Sequence, residues 1–259
     1  MIYPSIDPVA IDLGFVKLYW YGVMYLLAFL LAYLLAKYRS KNTNNWTSKT
    51  TEDLIFYGAV GVILGGRIGY MIFYNFSGLL ADPLSILLIH NGGMSFHGGF
   101  LGVPLAMHLF NRKHDMKFFS TMDFVAPLVP LGLLFGRIGN FINGELWGRA
   151  TTSEWGMYLQ GEGVYRYPSQ LYEAFLEGLV LFVVLWLYSS KARPVMSVSA
   201  LFLILYGLFR LIVEFVREPD QQLGYLAFNW LTMGQLLSLP MIILGIILFS
   251  MAHNKTETE

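Results

Sequence analysis

The chain has 259 residues, of which 56% are hydrophobic and only 13% are charged, and its formal net charge at pH 7 is zero. A soluble domain carries about a quarter charged residues, so this composition excludes a soluble globular protein. The balanced charge gives no reason to expect nucleic acid as a partner, and the absence of cysteine excludes disulfides, a thiolate nucleophile and thiolate metal ligands.

Apolar runs recur along the chain, and several reach the roughly 20 residues that cross a bilayer as a helix. They predict an all-α polytopic membrane protein whose residues 1–259 form a single integral-membrane domain with seven transmembrane helices. Residues 141–168 are too polar to cross and predict a small cap outside the membrane. The predicted spans cover about 15–36, 53–74, a shorter stretch near 100–110, a run from 118 into the segment that begins at Gly136, then 169–188, 197–216 and 232–251.

Lysine and arginine are distributed unequally between the two sets of loops. One set carries ten, the other carries four, and the remaining three of the seventeen lie inside spans. By the positive-inside rule the first set faces the cytoplasm, which places the N-terminus and the cap outside and the C-terminus inside. The ten are Lys37, Arg39, Lys41, Lys49, Arg112, Lys113, Lys117, Lys191, Arg193 and Lys255, and the four are Lys17, Arg149, Arg166 and Arg217.

Arg67, Arg137 and Arg210 lie inside the second, fourth and sixth predicted spans. Each is 13 to 19 residues beyond the cytoplasmic start of its span, which at 1.5 Å per residue is roughly 20–28 Å into the bilayer. A set of ionisable groups at one depth predicts a polar cavity that faces the outer leaflet. The other residues expected at this depth are His97, Glu173 and Glu177.

The segment Gly136–Arg149, GRIGNFINGELWGR, combines two arginines, two asparagines, a glutamate and four glycines at the end of the fourth span. A cation in the hydrocarbon region costs about 3 kcal/mol, so crossing the membrane gives no reason for Arg137. Glycines let a ligand approach the backbone closely, and Asn140 and Asn143 provide donors and acceptors. The segment therefore predicts an anion site where a helix leaves the membrane.

Tyr206, Arg210 and Glu214 follow one another at intervals of four residues and share one face of the sixth span. One interpretation is an ion pair between Arg210 and Glu214 that only lets the helix tolerate both charges. The other interpretation uses the surplus donors of Arg210, because one carboxylate does not occupy all five N–H groups of a guanidinium. Together with Arg137, Arg210 is then suited to bind a phosphate group.

His97 stands among four glycines in GGMSFHGG, at the entrance to the third span. A single histidine near a membrane interface is more often structural than catalytic. The glycines and the expected helix N-terminus favour the alternative, which is a binding site for an anion. No second histidine lies at a metal-ligand spacing nearby, so the sequence does not predict a metal site.

The same segments carry a resemblance to a known family. GRIGNFINGELWGR resembles the signature of the bacterial phosphatidylglycerol–prolipoprotein diacylglyceryl transferases. WYGVMY (20–25), GGMSFHGG, YPSQLYEA (167–174) and YGLFRLIVEFVREPD (206–220) match in family order over nearly the full length. The resemblance implies a plasma-membrane enzyme, active on the outer face, that moves the diacylglyceryl group of phosphatidylglycerol to a thiol. That thiol belongs to the lipobox cysteine of a prolipoprotein signal peptide, and the reaction forms a thioether and releases glycerol phosphate.

The resemblance also implies roles for individual residues. Arg137 and Arg210 would bind the phosphate and stabilise its departing charge, and His97 would be a candidate base for the thiol. The donor is an anionic membrane lipid, the acceptor supplies its own thiol, and no metal, cofactor or nucleic acid is implied. Of the further matching positions, Tyr21 and Asn140 would orient the head group, Glu145 and Glu214 would fix the arginines or the acceptor backbone, and Gly148 and Tyr206 complete the set.

Two other classes of protein fit parts of the pattern. An anion or lipid transporter would also contain buried arginines, and GGRIGYMIFYN (65–75) echoes FGRIGNFINGE (135–145) as a weak internal repeat. Its pathway would need polar residues at the cytoplasmic ends of the spans, which are mostly apolar here. A non-catalytic membrane scaffold gives no reason for ionisable groups at one depth.

Overall fold

The computed structural model describes residues 1–14, 16–41, 43, 46–88, 92–219, 224–228 and 230–254, without the side chains of Phe96 and His97. Two compact units divide the chain, one formed by Met1–Ala32 with Asp123–Glu259 and the other by Tyr33–Met122. Of the residues expected at the site, His97 and Arg67 belong to the second unit and the others to the first.

Helices make up most of the described chain, and four short strands complete it, two before the first helix and two between helices. The helices are α1 (Trp20–Ser40), α2 (Ser48–Phe73), α3 (Phe76–Ala81), α4 (Phe96–His114), α5 (Phe118–Val125), α6 (Val129–Ile142), α7 (Ser169–Tyr188), α8 (Ser197–Val213) and α9 (Met233–Asn254), with a 3-10 turn at Pro83–Leu87. The strands are β1 (Val9–Asp12), β2 (Lys17–Tyr19), β3 (Met157–Leu159) and β4 (Val164–Arg166).

By length and composition, four of the described helices can cross a membrane, namely α1, α2, α7 and α9. A fifth crossing results if α5 and α6, which meet at a bend of 44°, form one span. The two remaining predicted spans correspond to α4, which carries Arg112 and Lys113 in its last turn, and to α8, which has only 17 residues. The structure thus supports a helical protein with four or five candidate spans.

The chain is mostly helical, as expected for the all-α class, and it adds two short hairpins that the sequence did not predict. β1 pairs with β2, and β3 pairs with β4, each pair as a two-stranded antiparallel sheet. The second hairpin lies in the segment 141–168 that the sequence assigned to a cap, and Gly163 turns it with a φ of 71°. Valine, tyrosine and leucine on either side of that glycine favour extended backbone, and a glycine adopts a positive φ without steric cost.

In the second unit, glycines let α2 and α4 pack backbone to backbone. A Cβ atom on Gly69 would lie 2.6 Å from the Cα of Gly98, and a Cβ on Gly65 would lie 2.9 Å from the Cα of Gly102. Small residues at such spacing allow membrane helices to approach closely. The glycine that follows His97 therefore has a packing role, whereas the sequence alone suggested that the glycines there make room for a ligand.

Arg67, also in the second unit, is buried and donates to backbone carbonyl groups. Its Nε binds Ile86 O at 3.1 Å, its Nη2 binds Ser85 O at 2.6 Å, and its Nη1 binds Gly92 O at 2.5 Å. Backbone carbonyl oxygens thus accept hydrogen bonds from all three nitrogen atoms of the guanidinium group. This arginine therefore holds the segment between α3 and α4 in place.

In the first unit, α7 contains a π-helical turn at Ala174–Val180 between two α-helical parts. It packs closely on α6, because a Cβ on Gly178 would lie 2.8 Å from the Cα of Leu134. This contact aligns the N-terminal half of α7 with the C-terminal half of α6. It therefore brings Glu173 to Arg137.

Candidate active site

Arg137 and Arg210, the two arginines that the sequence paired, meet at one carboxylate oxygen. Nε of Arg137 lies 2.6 Å from Glu173 Oε2, and Nη1 of Arg210 lies 3.2 Å from the same atom. The three side chains come from α6, α7 and α8. Glu173 is only 1% exposed and Arg137 is 18% exposed, so the arginines carry the accessible part of the cluster.

Further ion pairs extend this contact into a charge-balanced set. Nη2 of Arg210 lies 2.6 Å from Glu214 Oε1, and Nη1 of Arg217 lies 3.2 Å from the same oxygen. Buried charges are tolerated when they are paired in this way. We call the set the arginine–glutamate network; its members are Arg137, Arg210, Arg217, Glu173, Glu177 and Glu214.

Glu177 is the least satisfied member of the network. Its side chain is fully buried on the π-helical turn of α7, and neither carboxylate oxygen has a hydrogen-bond partner in the described part of the chain. Its closest cationic contact is Nη1 of Arg210, 3.7 Å from Oε1. A buried carboxylate without hydrogen bonds costs free energy, so the rest of the network must stabilise it.

The polar groups of the segment Gly136–Arg149 are joined to the network through Asn140. Its Oδ1 accepts from Nη1 of Arg137 at 3.4 Å, and its Nδ2 donates to Glu145 Oε1 at 2.8 Å. Asn143 donates to the same glutamate oxygen at 3.4 Å. The side-chain amide of Asn140 therefore links Arg137 to the exposed carboxylate of Glu145. Asn143 contacts the same carboxylate.

Side chains from distant parts of the sequence hold the turn that follows α6. The Tyr3 hydroxyl donates to Phe141 O at 2.9 Å and Ile142 O at 3.1 Å, so it caps the end of the helix. Burial raises the pKa of Tyr3 above its ordinary value near 10, and the hydroxyl therefore stays protonated at neutral pH. Ser169 donates to Leu146 O at 2.9 Å, and Gln170 donates to Glu145 O.

Gly148 sits where three backbone segments converge. Its N–H donates to Tyr167 O at 2.8 Å, and the next residue, Arg149, donates its N–H to Val216 O at 2.9 Å. A Cβ on Gly148 would lie 2.9 Å from Tyr167 O and would overlap Val216 O. Gly148 therefore ties the cap to the chain that follows α8, close to Arg217.

We expect Gly148→Ala to destabilise the protein and to lower its activity at least tenfold, because the added methyl group must displace two backbone carbonyls. Thermal unfolding and turnover of the purified variant measure both effects. Gly132→Ala on α6 is the matched control, since among the described residues no atom outside the helix's own backbone lies within 4 Å of a Cβ there. Equal behaviour of the two variants would contradict the packing role of Gly148.

The two tyrosines predicted to take part in binding flank this site. Tyr21, in the first turn of α1, lies against α6, where a Cβ on Gly139 would be 2.8 Å from its Cδ2. Its hydroxyl is 3.4 Å from that of Tyr25. Tyr206 lies one helical turn before Arg210 on α8 and stacks on Phe202, with ring centroids 5.7 Å apart.

His97 and Arg67 belong to the second unit. The backbone of His97 is in the first turn of α4, and Ser95 caps that helix by accepting from Gly98 N at 3.2 Å. The helix N-terminus expected at His97 is therefore present, while its side chain lies outside the described residues. The set of ionisable groups at one depth therefore stays a prediction. The first unit by itself contains the members of that set that surround Arg137 and Arg210.

Arg217 is a member of the network, although its position in the sequence predicts a loop residue. It lies three residues after Glu214 and seven after Arg210, so it continues the stripe that begins at Tyr206. Extending that stripe by one more turn would have found it. Glu173 was expected at the same depth, but its place between the two arginines depends on the packing of α7 against α6.

An open cleft of about 330 Å³ adjoins the network on the side of the cap. Arg217, which shares Glu214 with Arg210, and Glu145, which binds Asn140, both line the cleft. Arg166 lines it as well and pairs with Glu162 at 2.7 Å and Glu218 at 3.2 Å. The remaining lining is Gly144, Leu146, Trp147 and Pro219.

Comparison with known proteins gives a consistent result. The family model described as prolipoprotein diacylglyceryl transferase matches residues 8–251. A protein of Coxiella burnetii is 56% identical over 247 residues, 95% of each chain, and one of Methylococcus capsulatus is 54% identical over 256 residues, 98% of each chain. One of Oleidesulfovibrio alaskensis is 57% identical over 257 residues, which cover 98% of this chain and 96% of its own. All three are named phosphatidylglycerol–prolipoprotein diacylglyceryl transferase.

Proposed function

The chain belongs to the prolipoprotein diacylglyceryl transferase family, and on that membership we propose that it transfers the diacylglyceryl group of phosphatidylglycerol to a prolipoprotein. The acceptor is the thiol of the lipobox cysteine in the signal peptide. The new bond is a thioether, and glycerol phosphate leaves. Besides family membership, one structural observation supports the proposal. Arg137 and Arg210 both contact a single oxygen of Glu173.

The proposed step is a direct displacement at the glycerol carbon of the diacylglyceryl group. The sulfur of the lipobox cysteine forms the new C–S bond with its electron pair, the bond between that carbon and the phosphate oxygen breaks, and the phosphate keeps the bonding electrons. The thiol proton passes to a base, for which His97 is the candidate. No protein nucleophile takes part, which agrees with a chain that has no cysteine.

Arg137 and Arg210 are proposed to bind the phosphate and to stabilise the negative charge that develops as it departs. Arg137 is suited to this, because its Nη2 has no hydrogen-bond partner among the described residues and its side chain is the most exposed of the three network arginines. A phosphodiester oxygen that approaches Arg137 would meet Asn140 next, since the two side chains are in contact at 3.4 Å.

The other proposed roles follow from position. Tyr21 and Asn140 orient the head group, and Glu145 faces the cleft where the polar product and the acceptor backbone would lie. Glu214 keeps Arg210 in place on α8, and Tyr206 lies one helical turn before Arg210 on the same helix. Gly148 allows the close backbone approach that joins the cap to Arg217.

The proposed topology has seven crossings in a single integral-membrane domain of the bacterial plasma membrane. The excess of lysine and arginine in one set of loops supports an N-terminus outside, a C-terminus inside and an extracytoplasmic cap at about residues 141–168. The site then faces the outer side, where a lipobox emerges. α4 and α8 would supply the two crossings that length and composition alone leave out.

The direct test combines the purified protein, vesicles containing phosphatidylglycerol, and a peptide with a lipobox cysteine. We expect a peptide whose mass has increased by a diacylglyceryl group, together with an equal amount of glycerol phosphate. A peptide with serine in place of the cysteine and vesicles without phosphatidylglycerol are the controls. Movement of phosphatidylglycerol between leaflets with no lipidated peptide would favour the transporter instead, and a diacylglyceryl group bound covalently to the protein would contradict direct transfer.

A further inference from the structure

We propose that Thr232 is a positioning residue for the arginine–glutamate network and that it acts on Arg210 through Glu214. Thr232 immediately precedes α9 and is buried, as is Glu214. The inference rests on the proposed function, because its main readout is turnover in that reaction. None of the sequence motifs quoted for the family resemblance contains this threonine.

The two oxygens of the Glu214 carboxylate have separate partners. Oε2 accepts a hydrogen bond from the Thr232 hydroxyl at 2.6 Å. Oε1 faces Nη2 of Arg210 at 2.6 Å and Nη1 of Arg217 at 3.2 Å. A carboxylate that is held at one oxygen cannot rotate freely about its terminal bond, so the Thr232 hydroxyl determines which way Oε1 points.

The hydroxyl of Thr232 is itself oriented by the start of α9. Thr232 N donates to Gln235 Oε1 at 3.0 Å, and Gln235 N donates to Thr232 Oγ1 at 3.3 Å, which is a reciprocal capping arrangement. The single hydroxyl proton remains for Glu214, because the oxygen already accepts from Gln235 N. The threonine therefore joins the helix cap to the network.

The backbone of α9 holds Glu214 from a second side. A Cβ on Gly234 would collide with the carboxylate group of Glu214 and would lie 3.0 Å from its Cγ. The absence of a side chain at Gly234 thus provides the space in which the carboxylate sits. The N-terminal end of α9 also carries a partial positive charge, which stabilises an anion placed there.

Turnover of Thr232 variants with phosphatidylglycerol vesicles and the lipobox peptide tests the inference. Thr232→Val keeps the shape of the side chain but removes the hydroxyl, and we expect kcat to fall about tenfold or more, as for a lost hydrogen bond to a charged group. The KM for the peptide should change less than twofold. Thr232→Ser restores the hydroxyl and should return kcat to within about twofold of the unmodified protein.

Gln235→Leu separates positioning from simple capping. It removes the side-chain acceptor of Thr232 N but leaves the backbone bond from residue 235 to Thr232 Oγ1 and the bond between Thr232 and Glu214. It should therefore lower the melting temperature without lowering kcat more than about twofold at a temperature where the protein is folded. Gly234→Ala should lower kcat, whereas Gly132→Ala, in open space on α6, should not. If Thr232→Val keeps full activity, or if Gln235→Leu and Thr232→Val lose activity equally, Thr232 has no positioning role.

A substrate-free measurement distinguishes failure of this inference from failure of the proposed function. Thermal unfolding of Thr232→Val, Glu214→Gln and the double variant gives their coupling, and we expect the double variant to melt no lower than Glu214→Gln alone. Additive shifts would overturn the inference. If the unmodified protein lipidates no peptide while the coupling is present, the proposed reaction is wrong and the contact between Thr232 and Glu214 stands.

Discussion

Arg137→Gln should lower kcat for lipidation of the peptide by about 10³-fold, because the variant loses the charge that stabilises the departing phosphate. The same substitution also leaves Glu173 with one fewer partner, so loss of activity alone would not separate chemistry from folding. The measurement is therefore made together with thermal unfolding of the same preparation in detergent.

A charge-matched pair of variants separates the two explanations. Arg137→Gln combined with Glu173→Gln removes one positive and one negative charge from partners that are 2.6 Å apart. If Arg137 binds the phosphate, the double variant should fold but remain inactive. Recovery of near-normal turnover in the double variant would show instead that Arg137 only neutralises Glu173.

Glu173→Gln by itself should have the largest effect on stability. The carboxylate receives Arg137 and Arg210 at one oxygen and Arg217 at the other, at 3.6 Å, so its loss leaves three partly buried guanidinium groups with two carboxylates. Breaking a buried pair typically costs about 3–5 kcal/mol. For a protein of this size that corresponds to a fall in melting temperature of roughly 10 °C.

Glu162→Gln is the matched control for this prediction. Glu162 also pairs with an arginine at 2.7 Å, but its side chain is 49% exposed, and exposed pairs contribute little to stability. We expect its melting temperature to change by about 2 °C or less. If both variants melt at the same temperature as the unmodified protein, the network does not stabilise the fold.

Elements with a strong apolar signal were predictable from the sequence. The fifth predicted span, 169–188, coincides with α7, because Pro168 blocks the preceding turn and the apolar run ends at Tyr188. The seventh, 232–251, matches α9 to within a few residues. The π-helical turn inside α7 was not predictable, since a shift from i+4 to i+5 hydrogen bonds leaves no mark in composition.

The local part of the site was predictable and the long-range part was not. The interval of four residues between Arg210 and Glu214 predicted an ion pair, and the two groups are 2.6 Å apart. The contacts of Tyr3 with the end of α6 and of Thr232 with Glu214 join residues that are distant in the sequence. These residues come together only through the packing of the helices and the cap. Their spacing in the sequence therefore does not predict the contacts.

The equal numbers of arginine and glutamate in the network have an electrical consequence. A transmembrane voltage does work on net charge, at about 2.3 kcal/mol per elementary charge for each 100 mV crossed. With all six side chains ionised, three positive and three negative charges held within a few ångströms experience nearly cancelling forces. With that charge balance, a voltage across a membrane that contains the network would exert little net force on it.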